Sequence, residues 1–308
     1  MTSAPFVLPQ DCNATDTCPA NGRIYARGCS ACNLQAACPD FGGVLYDACP
    51  LYAPAPSLPP NPPLPSPLVH ITSIAGVFTS TWYGAVLALG KIYCVPWAAS
   101  SALVIDPSDN TVNATAIRVD GCSDETGSPC WAGAVLAGDR VFGMPFDADA
   151  VLIVDPATGI ADTTSLPVTP GGSSLNGKWI GGALADNGKI YACPYSSSTL
   201  LIIDPSTNSV NSSIGGFTTY DGGWHGAVFA NDKVYCMPWL SLSVLIIDPS
   251  TNTTDESSIV VGNGGGAWGG GVLGANGKIY GLPYAATSVL IIDPTTNTAD
   301  VVAMSAFP

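Results

Sequence analysis

Residues 179–214 read WIGGALADNGKIYACPYSSSTLLIIDPSTNSVNSSI, and they parse into four short strands. Small residues after Trp179 form the first strand. Asn187-Gly188 supplies a tight hairpin turn, and Lys189-Ile-Tyr-Ala-Cys193 forms the second strand. A polar loop leads to the apolar run Leu200–Ile203, the third strand. Asp204-Pro205 opens the next turn, where proline presets φ and Asn208 tolerates positive φ. The Ser/Thr-rich stretch that follows is polar, as the outermost strand of a blade should be.

The unit occurs five times. Trp recurs at 82, 131, 179, 224 and 268, a proline at 96, 145, 194, 238 and 283, and Asp-Pro begins at 106, 155, 204, 248 and 293. The period of 44–49 residues is that of a propeller blade. The expected fold is therefore all-β: a five-bladed β-propeller over residues 68–308, behind a small disulfide-rich segment. Ring closure stays open, because Leu68–Ser73 and Thr298–Met304 both read as a fourth strand. One of them closes the ring and the other is free to add to an edge.

With the repeat in view, a resemblance can be named. The string IYCVPWAASSALVIDPSDNTVNATAIRVDG, residues 92–121, resembles the YVTN-type propeller repeat of microbial surface-layer proteins. The V-I-D-x-x-T-N-T part of that family's repeat is well matched by Val104-Ile-Asp-Pro-Ser-Asp-Asn-Thr111, with Asp109 in place of the first Thr. Where that family places Y-V-T-N, this chain has Tyr-x-x-Pro-aromatic. The resemblance implies a cell-surface repeat without a common chemistry.

Two regions precede the repeats. Cys12–Cys29 and Cys32–Cys49 both read C-N-x4-C-P-x2-G-x6-C, a 20-residue repeat used twice within residues 1–52. A segment this short cannot bury a useful core, so disulfides among Cys12, Cys18, Cys29, Cys32, Cys38 and Cys49 are expected to hold it. Six cysteines allow about 15 pairings and the sequence does not choose. Zinc at Cys29-x2-Cys32 is the rival reading. Residues 53–67, APAPSLPPNPPLPSP, are a polyproline II linker, since fixed φ and missing N–H groups exclude helix and sheet. The linker resembles the hydroxyproline-rich stalks of green-algal wall and flagellar-surface glycoproteins.

Composition narrows the function. Charged residues make up only 10% of the chain, and a net charge of −14 excludes the basic stripe that nucleic acid needs. Eleven cysteines and sequons at Asn13, Asn113, Asn211 and Asn252 point to the secretory route, and so to an extracellular or cell-surface location. No leader is recognisable in MTSAPFVLPQ, which speaks for a mature or excerpted chain, or against that location. No apolar run has the length of a membrane span.

The recurrent residues read mostly as architecture. Lys91, Arg140, Lys189, Lys233 and Lys278 each open a second strand, and an Asp lies 15 residues later. A hairpin would set each pair face to face. The aromatics offer two readings. Trp82, Trp131, Trp224 and Trp268, with Trp97, Tyr195, Trp239 and Tyr284 after the prolines, either lock neighbouring blades or form sugar-stacking platforms on one rim. Cys122 and Cys130 are expected to bridge, whereas Cys94, Cys193 and Cys236 read as buried free thiols. His225 reads as an ordinary loop histidine. Asp147 and Asp149, with Asp124 and Glu125, lack the spacing of a calcium loop. No metal site, cofactor site or catalytic motif is found, and the chain is expected not to be an enzyme. The expected function is a structural or surface-assembly glycoprotein of a fibre, wall or coat, with a glycan-binding propeller as the alternative. Expected partners are further copies or other surface glycoproteins, and glycans.

Overall fold

The computed structural model describes residues 81–122, 128–169, 177–217, 222–262 and 265–304. The tandem cysteine segment, the proline linker, Asn13, Leu68–Ser73, Asp124 and Glu125 lie outside these residues. Within them the chain is a five-bladed β-propeller, with five four-stranded antiparallel sheets in simple sequence order. Blade 1 holds β1 (Trp82–Ala88), β2 (Lys91–Pro96), β3 (Ser101–Asp106) and β4 (Thr111–Arg118). Blade 2 holds β5 (Trp131–Ala137), β6 (Arg140–Pro145), β7 (Leu152–Asp155) and β8 (Ile160–Asp162). Blade 3 holds β9 (Trp179–Leu184), β10 (Ile190–Pro194), β11 (Leu201–Asp204) and β12 (Ser209–Asn211). Blade 4 holds β13 (Trp224–Ala230), β14 (Lys233–Pro238), β15 (Leu245–Asp248) and β16 (Thr253–Asp255). Blade 5 holds β17 (Trp268–Leu273), β18 (Ile279–Pro283), β19 (Ser288–Asp293) and β20 (Thr298–Ala303). The stretch that could have closed the ring is thus simply the fourth strand of blade 5.

The Asp-Pro turns form for a local reason. In four of them the Asp side chain accepts the amide two residues on and the hydroxyl of the Ser or Thr there, as Asp204 does from Ser206 at 3.0 and 2.6 Å. The asparagine that ends the turn takes positive φ, as at Asn208 and Asn252. The same carboxylates receive the lysines that open the second strands. Lys91–Asp106, Lys189–Asp204, Lys233–Asp248 and Lys278–Asp293 lie 3.0–3.6 Å apart. The expected fifth pair does not form, because Arg140 turns away from Asp155 to the next blade.

Packing is by junction. Four apolar clusters fill the spaces between consecutive blades, 1–2, 2–3, 3–4 and 4–5. Innermost strands approach so closely that a Cβ on Gly133 (φ +96) would lie 2.7 Å from the Gly181 Cα of the next blade. Only glycine permits that approach at that φ.

Blades 3 and 4 are also stapled. Cys193 of β10 and Cys236 of β14 form a disulfide with Cα atoms 5.8 Å apart. This corrects the expectation of free thiols. The two occupy neighbouring, not identical, repeat positions, and face-to-face packing of adjacent blades brings such positions together. Cys122 and Cys130 are bonded with Cα atoms 5.9 Å apart, and Cys94 is a free thiol.

Candidate functional site: an aromatic face

The Trp that opens each first strand points between blades. Trp131, Trp179, Trp224 and Trp268 are 0–2% exposed. Their indole N–H groups donate to the carbonyls of Ala150, Thr199, Ser243 and Ser288 at 2.7–3.0 Å. Trp82 makes the same bond to Ser101 and is half-buried. Trp131, Trp224 and Trp268 therefore offer no face to a sugar. As candidate ligand residues they are corrected: they are the wedges of the junctions.

The aromatic residues after the second-strand prolines behave differently. Trp97, Phe146, Tyr195 and Trp239 are partly exposed, and Tyr284 is open. They run side by side along one face. Trp97 and Phe146 ring centres are 4.7 Å apart, Phe146 and Tyr195 5.5 Å, and Trp239 and Tyr284 4.7 Å. Two further rings come from the residue just after the opening Trp. His225 stacks on Trp239 at 4.9 Å and meets Tyr195 at 6.4 Å. Tyr83 packs on Trp97 at 5.4 Å and its hydroxyl hydrogen-bonds His225 Nε2 at 2.9 Å. Tyr83, Trp97, Phe146, Tyr195 and His225 thus close a circuit that ties blade 1 to blade 4.

His225 is more than an ordinary loop histidine. It is 7% exposed, and burial pulls its pKa down to about 4. The ring is therefore neutral at pH 7. Its Nδ1 makes no hydrogen bond of ordinary geometry, although the carbonyls of Gly269 and His225 itself lie near enough to favour the protonated form. The residue after the opening Trp is Tyr83, Ala132, Ile180 and Gly269 in the other blades, so His225 stands alone at its repeat position. Tyr83, its counterpart in blade 1, was the missing half of the signal.

The sequons separate by environment. Asn113 and Asn211 are exposed on the outermost strands β4 and β12. Asn252 is engaged, since its Oδ1 accepts the Tyr191 hydroxyl of the preceding blade at 2.9 Å. Asp147 accepts the Gly177 amide at 2.6 Å, and no His/Cys/Asp/Glu cluster among the described residues could hold a metal ion. No helix among the described residues is long and apolar enough to cross a membrane.

Comparison with known proteins then bears on the fold. No family model matches the chain, and no curated protein matches it. Solved structures do. Virginiamycin B lyase from Staphylococcus aureus is similar with a TM-score of 0.57 at 12% identity, over 74% of this chain and 71% of that one. Kuenenia stuttgartiensis hydrazine synthase gives 0.54 at 14% identity, over 76% and 70%. The extracellular domain of a one-component system from B. thetaiotaomicron gives 0.54 at 10% identity, over 74% of this chain and 32% of that one.

These likenesses establish the propeller and correct one expectation. Virginiamycin B lyase is an enzyme on this architecture. The expectation that the chain is not an enzyme, which rested on missing motifs, is therefore overturned as an argument: the fold includes enzymes, and no motif needs to announce them.

Proposed function

We propose that this chain is an extracellular surface-assembly propeller, a repeating part of a coat, wall or fibre. One observation carries the reading: large apolar side chains are bare on the two end blades. Val272, Leu273, Leu282, Tyr284, Val301 and Val302 are exposed on blade 5, and Tyr83, Leu87 and Leu89 on blade 1. Concentrated apolar surface of this kind marks interaction sites. The low charge density leaves little repulsion between copies. Two disulfides, exposed sequons and similarity to an extracellular domain support the location. The YVTN-like repeat and the hydroxyproline-type stalk belong to the same reading. The experiment is isolation of native material followed by sizing and electron microscopy. Assemblies or wall layers are expected. A chain that stays monomeric at high concentration, with glycans intact, ends the reading.

A second reading, glycan recognition, rests on the aromatic face. Tyr284 stands open beside Trp239, and Tyr83 lies at the rim of the circuit. Sugar retention on a glycan array should fall on Tyr284→Ala with no change in melting. Equal retention by the variant, or none by the parent, would remove it.

A further inference from the structure

Each junction inside the chain is finished by the segment that leaves one blade for the next. Two apolar residues of that segment enter the cluster at every junction, such as Ile117 and Val119 at 1–2, Ile214 and Phe217 at 3–4, and Ile259 and Val261 at 4–5. The second residue of each pair donates its amide to a carbonyl of the blade being left, as Phe217 does to Ser198 at 3.1 Å and Val261 to Leu242 at 2.8 Å. The segment ends on the residue before the opening Trp. Its carbonyl accepts the amide after the second-strand proline of the blade being entered, as Gly223 does from Trp239 at 3.1 Å.

The curvature of the arc brings its two ends together. The Tyr83 hydroxyl hydrogen-bonds His225 Nε2 at 2.9 Å, and the Tyr83 pKa is raised by burial and then by nearby Tyr284 and Tyr195. Blade 5 therefore stands where a blade preceding blade 1 would stand, and it carries the leaving half of a junction. Met304 donates to the Thr287 carbonyl at 3.1 Å, so it holds the place of Val261, and Val302 holds that of Ile259. Both are bare, at 53% and 50% exposed. So is Leu282 at 54%, whose counterparts Val95, Met144, Cys193 and Met237 are 0–1% exposed. Blade 1 carries the entering half. Thr81 accepts the Trp97 amide at 2.8 Å, as Gly223 does from Trp239. The residues just before it, Ile74-Ala-Gly-Val-Phe-Thr-Ser80, match Ile214-Gly-Gly-Phe-Thr-Thr219 of junction 3–4 with one residue added. There Phe217 meets the opening Trp224 edge-on, with ring centres 5.6 Å apart. Residues 74–80 themselves lie outside the described residues.

We infer that residues 74–80 seat in the junction between blades 5 and 1 of the same chain, with Phe78 edge-on to Trp82 and Ile74 and Phe78 over Leu282 and Met304. The tether names the occupant. Seven residues reach at most about 24 Å from Thr81. A segment held so close acts at an effective concentration in the millimolar range, which a separate molecule would have to outcompete. The inference goes beyond the surface-assembly reading and does not need it. It covers one rim of blade 5 and leaves Val272, Leu273 and Val301 bare for a partner.

The test is peroxide oxidation of the methionines in the full chain, read by mass spectrometry. Met304 should oxidise several-fold more slowly than free methionine at every protein concentration, and Phe78→Ser should remove that protection. Met144 and Met237 are buried and stay protected in a folded variant, so they report on the fold. Met304 as reactive as free methionine in the parent overturns the inference. Protection that survives Phe78→Ser overturns it too. Protection that appears only as concentration rises overturns it in favour of a second copy and supports the surface-assembly reading. Should Phe78→Ser unfold the chain, a photo-crosslinking benzophenone residue in place of Leu282 decides. A bond to residues 74–80 of the same chain is expected, and any other product, or none, overturns the inference.

Discussion

Blades 3 and 5 are built from nearly the same sequence unit and differ in what lies beyond them. Blade 3 is followed by blade 4, and its Tyr191, Cys193 and Ala183 are buried in that junction. Blade 5 has no described successor, and its Tyr280, Leu282 and Val272 are half-buried or exposed. A blade is therefore not a stable unit in itself. Its hydrogen bonds are complete, but its apolar faces are covered only by neighbours, so stability resides in the junctions.

Four measurements separate the strength of the junctions from that of the blades. The largest effect is expected at the wedges. Trp224→Ala should destabilise the fold by about 3–5 kcal/mol in chemical denaturation, and the half-buried Trp82→Ala by markedly less. Equal losses at both positions would show that the end junction is as well packed as the interior. Next is the staple. Replacing Cys193 and Cys236 together by Ala should cost about 2–4 kcal/mol, while the same change at Cys122 and Cys130, which close a far shorter loop, should cost less.

The third test is pH. His225 has its folded pKa held at about 4, below the ordinary 6.5. The folded chain refuses a proton that the unfolded chain accepts. Stability from the neutral ring is therefore full above about pH 6.5 and lost as pH falls toward 4, by roughly 3 kcal/mol. Melting followed from pH 7 to pH 4 should show that fall, and His225→Gln should flatten it. A second loss below about pH 4 belongs to carboxylates such as Asp204, held at about 2 by the Ser206 hydroxyl and the amides of its turn. The smallest effect is at the tyrosine hydroxyls that reach the next blade's Asp-Pro turn, Tyr191 to Asn252 and Tyr235 to Asn297. Tyr191→Phe strands the buried acceptors on blade 4 and should cost about 1 kcal/mol. Tyr280→Phe should leave the melting of the isolated chain unchanged.

Much of this was legible in the sequence, and the failures are instructive. Trp, Pro and Asp-Pro at one period specify strands, turns and blade count, because each acts within its own hairpin. The lysine–aspartate pairs were legible for the same reason. What escaped involves two blades at once. Arg140 fails to pair with Asp155 because blade 2 has Phe142 where blades 3 and 4 have tyrosine. With no hydroxyl there, Arg140 lies over the Phe142 ring and donates to Pro205 and Asn208 of blade 3. The Cys193–Cys236 bond escaped because a one-residue offset between repeats looks like noise until adjacent faces are superposed. The aromatic face was half legible. Its rim follows from the residue after each proline, but the closing contact of Tyr83 with His225 spans 142 residues.

The glycines that line the innermost strands carry a consequence for how such a chain can change over generations. At Gly133 or Gly181 a methyl group would strike the next blade's backbone, so interior repeats are locked to their neighbours and tolerate little drift. Gly270 faces open space. A duplicated repeat arriving after Ala303 would find a seat of the right shape already cut, whereas one inserted between blades 3 and 4 must first break a disulfide. Gain or loss of blades should therefore proceed at the ends, and relatives with other blade numbers should differ there while sharing their middle repeats.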